Sequence, residues 1–207
     1  MDNKRECFLR CMRILLIDNG TKYLNPLKRL LRGNSVKVIR FGKVDPSQSN
    51  VFDWILLSGG NSASVEHHTK LFSNELKLIR RSAKPIVGIC LGFELIAKAF
   101  GSELTPLKQK ERGKIEIQFV EKKAVPSRSV VFESHRWRVQ KLGKSLKAIA
   151  KSKDGIEIIQ HRRRPIIGMQ FHPEKSANGK ELFDQLVKQQ FKRFFSAAAA
   201  PATCCPS

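Results

Sequence analysis

Three short segments carry residue types suited to covalent chemistry on an acyl group. In Pro85-Ile86-Val87-Gly88-Ile89-Cys90-Leu91-Gly92-Phe93-Glu94 an apolar run turns into a helical pattern at a cysteine. Residues 85–89 read as a strand buried on both faces. Residues 91–100 read as a helix, with Leu91, Leu95, Ile96 and Ala99 at helical spacing. A cysteine at that junction is presented on a sharp elbow, and Gly88 and Gly92 leave room for the tight backbone. The positive end of the helix dipole lies beneath the sulfur and favours thiolate. A lone cysteine in an apolar run is more often a packing residue, and two further segments argue against that reading.

The first is Ile166-Ile167-Gly168-Met169-Gln170-Phe171-His172-Pro173-Glu174. Residues two apart in an extended chain point the same way, so His172 and Glu174 can share a face. Pro173 holds His172 extended. A carboxylate that orients an imidazole, whose other nitrogen reaches a thiol, is a Cys-His-acid triad. The second is Trp54-Ile55-Leu56-Leu57-Ser58-Gly59-Gly60-Asn61-Ser62, a strand running into a glycine pair. Glycines there let the backbone approach a ligand and leave N–H groups free to face it.

Together LLSGG at 56–60, GICLG at 88–92 and QFHPE at 170–174 resemble class I glutamine amidotransferases, in the family's order. The resemblance spans residues 13–195. It is closest to glutaminase domains of GMP synthetase type, through Ala63-Ser64-Val65 after the glycine loop and Glu133-Ser134-His135 further on. It implies that Cys90 attacks the glutamine side-chain amide, giving a γ-glutamyl thioester and ammonia. His172 would move the proton, and Glu174 would hold His172. Backbone N–H groups of Gly60 and Leu91 would form the oxyanion hole. Gly59, Glu94, Ser134 and His135 would border the substrate. No cofactor is implied. No synthetase domain follows in the chain, so a separate synthetase subunit is expected to use the ammonia.

One residue departs from the family pattern, which commonly has Gln where this chain has Glu94. Residues four apart on a helix share a face, so Glu94 can lie near the pocket that Cys90 faces. An ionised carboxylate accepts hydrogen bonds but cannot donate one, and it would repel a substrate carboxylate. Glu94 would then weaken glutamine binding or shift preference to another γ-glutamyl compound. The alternative is that Glu94 faces solvent or pairs with a nearby Lys or Arg.

The elements needed to position these groups follow from the hydrophobic pattern. Strands are expected at 12–18, 35–41 and 54–58, with helices at 26–32 and 71–82. This rhythm, leading to the nucleophile strand, predicts an α/β fold: a mostly parallel sheet covered by helices on both faces, flavodoxin-like. Closely spaced strands at 114–120, 130–133, 146–152, 156–161 and 166–171 predict antiparallel additions, the last returning beside the nucleophile. A closing helix is expected at 179–195. Residues 12–196 form a single expected domain. Residues 1–11 read as a loose extension, with Met12 a possible natural start, and the alanine-rich 197–207 reads as disordered. Cys204 stands four from the end, but Pro206 makes a poor prenylation box.

The sequence shows no long apolar span and no signal-peptide core, so a cytoplasmic protein is expected. Five cysteines, one needing a free thiolate, argue against a disulfide framework. No Cys/His spacing suits zinc, and no metal is expected. His67 and His68 are expected on the surface at a helix start, and His161 exposed at a strand end. Lys and Arg number 39 against 18 acidic residues, a net charge of +21. Arg162-Arg163-Arg164 reads as a hairpin tip and residues 108–112 as a basic loop. The excess fits a solvated surface, docking to an acidic synthetase, or salt-sensitive nucleic-acid contact. Three functions stay open: a glutaminase that feeds ammonia to a synthetase, a free-standing γ-glutamyl hydrolase or peptidase with the same triad, and a non-catalytic basic binding module.

Overall fold

The computed structural model describes residues 12–61, 63–120 and 127–195. The expectations for 1–11, 197–207 and Cys204 lie outside the described residues. In chain order the elements are β1 (Arg13–Asp18), α1 (Leu24–Leu30), β2 (Ser35–Arg40), β3 (Trp54–Leu57), α2 (Ser73–Arg81), β4 (Ile86–Ile89) and α3 (Leu91–Ala99). They continue with β5 (Glu103–Phe119), β6 (Arg128–Lys141), β7 (Leu146–Lys151), β8 (Ile156–His161), β9 (Ile166–Met169) and α4 (Ala177–Phe195).

All nine strands form one sheet in the order β2-β1-β3-β4-β9-β8-β7-β5-β6. Pairings from β2 to β9 are parallel, and those from β9 to β6 are antiparallel. β9 therefore returns beside the nucleophile strand β4, Ile89 opposite Met169. Alternation along the strands divides the core in two. Ile14 and Leu16 of β1 face Leu27 of α1 and Leu182, Phe183 and Phe191 of α4. Leu15 and Ile17 face Leu76 and Ile79 of α2 and Leu95 and Ile96 of α3. Helices on both faces bury every residue of β3, β4 and β9, which is why those strands read as continuous apolar runs.

Four local expectations need correction, the last at His161 in the arginine hairpin. Residues 108–112 are not a loop. They belong to β5, which begins at Glu103 and pairs with β6 through a register shift between Pro106 and Glu111. Much of this arm is exposed, so its sequence lacks the apolar alternation that marks a half-buried strand. β6 likewise runs on to Lys141, taking in Ser134 and His135. His67 and His68 are exposed but lie in a turn before α2.

The arginine run is the β8–β9 hairpin tip, as expected, but His161 is partly buried and organises it. Its Nδ1 accepts from the N–H groups of Arg163 and Arg164 at 3.1 and 2.9 Å. The Arg164 guanidinium donates to the carbonyls of Ile79, Arg80 and Ser82, closing the C-terminal end of α2. Arg162 Nε also donates to Lys144 O at 3.1 Å, so two of the three arginines tie the tip to backbone carbonyls.

Candidate active site

The parallel strands end in a common plane, and the chemistry sits just beyond their C-terminal ends, where open α/β sheets bind ligands. Cys90 follows β4 with φ 50° and ψ −104°, the one non-glycine residue with positive φ among those described. Such a conformation costs about 1–3 kcal/mol and persists only where its surroundings fix it. The Cys90 N–H donates to Met169 O at 2.8 Å, and its carbonyl accepts the Glu94 N–H at 3.0 Å. Gly92 makes the elbow possible: a Cβ there would lie 2.4 Å from Leu57 O.

His172 is held by its backbone N–H, which donates to Phe132 O of β6 at 2.8 Å. Its Nδ1 meets Glu174 Oε1 at 2.9 Å, with both side chains almost wholly buried. The pairing expected for His172 and Glu174 is present, but its cause differs. β9 has ended at Met169, and a 3-10 turn at Pro173–Lys175 swings Glu174 back under the imidazole. Burial alone would lower the His172 pKa. The charge and hydrogen bond of Cys90, then those of Glu174, outweigh it and push the imidazole up to about 10. His172 is thus placed to hold a proton between the Cys90 sulfur and the Glu174 carboxyl group.

The glycine loop closes the other side. A Cβ on Gly59 would stand 2.9 Å from His172 Cε1 and 3.4 Å from Cys90 Cβ. Gly60 packs on Asn19 O and Leu91 Cδ2, each 2.4 Å from where its Cβ would be. Leu91 opens α3, so its N–H belongs to the first helical turn and has no partner within the helix. Gly60 thus packs against the side chain of Leu91, the residue that follows Cys90 and opens α3.

The remaining expected residues lie close by, with altered parts. The Ser134 carbonyl, rather than its hydroxyl, is the group beside the nucleophile, 3.8 Å from Cys90 Sγ. His135 is buried with both ring nitrogens engaged, Nε2 to Glu133 Oε2 at 3.0 Å and Nδ1 to Trp137 O at 2.8 Å. Glu94 neither faces solvent nor pairs with Lys or Arg. It is buried, takes a long 3.5 Å contact from Gln170 Nε2, and faces His135. Among the described residues no cluster of His, Cys, Asp or Glu could hold a metal ion.

Sequence reasoning missed three neighbours. Asn19, just past β1, ties β1 to the glycine loop: its N–H donates to Ser58 Oγ at 2.9 Å and its Nδ2 to Ser58 O at 3.0 Å. Its place at the C-terminal end of a parallel strand was a usable signal. Tyr23, the chain's single tyrosine, packs edge-on against His172 with ring centroids 5.0 Å apart. Lys175 Nζ lies over the Tyr23 ring at 4.8 Å. Gln170 was noticed only as part of a motif.

A buried thiol on a strained strand–helix elbow, beside an imidazole–carboxylate pair and a glycine loop, defines a cysteine amide-hydrolase site on a doubly wound sheet. Residues 15–190 match the family model described as Glutamine amidotransferase class-I, and the chain belongs to that family. A glutamine-hydrolyzing GMP synthase subunit from Pyrococcus furiosus is 34% identical over 169 residues, 78% of this chain and 88% of that protein. The corresponding protein from Archaeoglobus fulgidus is 30% identical over 185 residues, 86% of this chain and 98% of the relative. The crystal structure of a Thermoplasma acidophilum protein, described as a GMP synthase subunit, superposes with a TM-score of 0.78 at 26% identity. It covers 90% of this chain and 98% of that one.

Proposed function

We propose that this protein is a glutaminase subunit that hydrolyses glutamine to glutamate and ammonia and passes the ammonia to a separate synthetase that makes GMP. The observation that carries the reading is Cys90, held at positive φ beside the His172–Glu174 pair. His172 takes the thiol proton and Sγ attacks the side-chain amide carbon. The oxyanion is held by the N–H groups of Gly60 and Leu91. The C–N bond breaks as His172 returns the proton to the leaving nitrogen, releasing ammonia and leaving a γ-glutamyl thioester. Water, deprotonated by His172, then attacks the thioester, the C–S bond breaks, and glutamate leaves with the thiol restored. Glu174 stabilises the imidazolium throughout.

Residues 12–196 act as one domain in this reading, supported by the single sheet that runs through it. A catalytic free thiol suits the reducing cytoplasm. No helix among the described residues is long and apolar enough to cross a membrane. The synthetase partner would present an acidic face. Lys108, Lys110, Arg112, Lys114, Arg136 and Arg138 are all exposed on the β5–β6 arm, and none has an ion-pair partner among the described residues. Arg112 lies opposite Ser134, whose carbonyl touches the nucleophile, so this surface borders the site.

The test is glutamate release from glutamine by the purified protein and by Cys90→Ala, with γ-glutamyl peptides run in parallel. Release from glutamine that falls by at least about 10³-fold in Cys90→Ala supports the glutaminase. Turnover of γ-glutamyl peptides alone would replace it with a free-standing γ-glutamyl hydrolase.

A further inference from the structure

Glu94 sits one helical turn behind the nucleophile, and its residue is 4% exposed. Two segments enclose it. Gln170, two residues before His172, offers its amide, and His135 of β6 faces it from beside Ser134. Both segments also reach the reacting groups, Ser134 through its carbonyl at Cys90 and the 170–172 stretch through the imidazole it carries. Glu94 is therefore part of the wall immediately behind the sulfur.

The charges around it do not balance. His135 is the ionisable group facing Glu94, but it is already paired with Glu133, and Glu157 of β8 lies against Glu133 in turn. From α2, Glu75 lies beside Asn19, and on α3 itself Lys98 is taken by Glu66 at 2.7 Å. Three buried carboxyl groups thus crowd one imidazole, with Lys153 also acting on Glu133. One imidazole and one lysine cannot neutralise three carboxylates in a dry interior, so the cluster must hold extra protons. Burial pushes Glu94 up to about 7, against the opposing pull of His135 and Gln170.

We propose that Glu94 lines the glutamine pocket as a neutral carboxylic acid, reproducing the donor and acceptor of a carboxamide, and that loss of its proton closes the pocket to glutamine. This deepens the glutaminase reading and rests on it. A carboxylic acid and a primary carboxamide share a planar shape, each with an acceptor oxygen beside a donor. The neutral acid donates a hydrogen bond to a substrate carboxylate, whereas the ionised form repels it. Glu94 is then a small chemical departure from Gln at low pH and a large one at high pH.

The experiment measures KM and kcat for glutamine between pH 6 and 8 in the wild type, Glu94→Gln and Glu94→Ala. Cys90 alkylation by iodoacetamide and by the glutamine analogue 6-diazo-5-oxo-norleucine is followed alongside. The wild-type KM should rise about tenfold across this range if Glu94 ionises near 7. Glu94→Gln should keep the low-pH KM at every pH, with kcat following the wild-type profile. Glu94→Ala should have a raised KM throughout. Because His172 and Cys90 are intact in all three proteins, their titration cancels in the ratio of KM values. A Glu94→Gln profile parallel to wild type, or a KM as poor as that of Glu94→Ala, would overturn the proposal and leave the glutaminase standing. Cys90 that reacts with iodoacetamide while wild type and Glu94→Gln both ignore glutamine and its analogue would overturn both.

Discussion

The parallel and antiparallel halves of the sheet bury different things. β3, β4 and β9 are wholly buried and wholly apolar. Their polar chemistry waits beyond the strand ends, at Ser58–Gly60, Cys90 and Gln170–His172. In the antiparallel half the polar groups stand inside the strands, with Glu133 and His135 within β6 and Glu157 within β8, all buried. Helices on both faces keep the parallel strands dry. The site therefore depends on backbone shape in one half and on where protons reside in the other. A glycine substitution in the first half should act through sterics, and a carboxyl substitution in the second through pH.

The glycines give the largest test of that contrast. Gly92→Ala would place a methyl 2.4 Å from Leu57 O, backbone against backbone with no flexible side chain to yield. The expected cost is about 3 kcal/mol or more, with loss of glutaminase activity. Gly113, in the antiparallel arm, has φ 151° and open space where its Cβ would go. Gly113→Ala should cost only about 1 kcal/mol, through backbone strain alone. Chemical denaturation of both variants decides the matter, since equal losses would erase the distinction. Next in size is the proton on His172. Cys90 contributes the largest upward pull on that imidazole. In Cys90→Ala the pKa should therefore fall from about 10 toward its ordinary value, with Glu174 still holding part of the shift. The imidazole proton resonances report it directly, and an unchanged titration would mean that thiol and imidazole are not coupled.

The parallel half was legible in the sequence for the same reason that it is dry. Uninterrupted apolar runs located β3, β4 and β9, and the residues breaking those runs were the ones to which the proposed chemistry is assigned. Cys90, His172, Glu174 and the glycine pair all fall at such breaks. The antiparallel half was less legible. β5 is so exposed along the arm that residues 108–112 read as a loop. Glu133 was noticed only within Glu133-Ser134-His135 and Glu157 not at all, because a buried carboxylate leaves no mark in hydrophobic periodicity. Only the fold shows that both face inward toward His135. Glu94 was visible as a departure from the family's Gln, but its burial was not, since a charged residue on an amphipathic helix ordinarily reaches water.

Those buried carboxyls predict a stability profile of definite sign. Burial raises Glu157 well above its ordinary value, with Glu133 adding to the rise. As pH climbs past the ordinary carboxylate range, the unfolded chain releases this proton while the folded chain keeps it. The unfolded state then binds fewer protons, so stability falls with rising pH. Glu157→Gln removes the slope and can still accept the Ser152 hydroxyl, which is 2.6 Å from Glu157 Oε1. At pH 8 it should be more stable than the wild type, and at pH 4 it should show no gain. Thermal melts across that range test it, and a variant that gains nothing at pH 8 would place the proton elsewhere in the cluster.

The smallest effect is expected on the outer surface of the same arm. Lys110 and Arg136 are exposed among other cations that have no ion-pair partner among the described residues. Removing either one relieves repulsion and breaks no ion pair among the described residues, so Lys110→Ala and Arg136→Ala should change stability by no more than about 0.5 kcal/mol. Glutamine hydrolysis by the isolated protein should likewise stay at the wild-type rate. The difference should emerge only with an acidic synthetase partner, as weaker association that added salt no longer weakens as steeply. A large loss of isolated activity in Lys110→Ala would instead make the arm's surface part of the site. The two halves would then be joined through the exterior as well as through the buried His135 cluster.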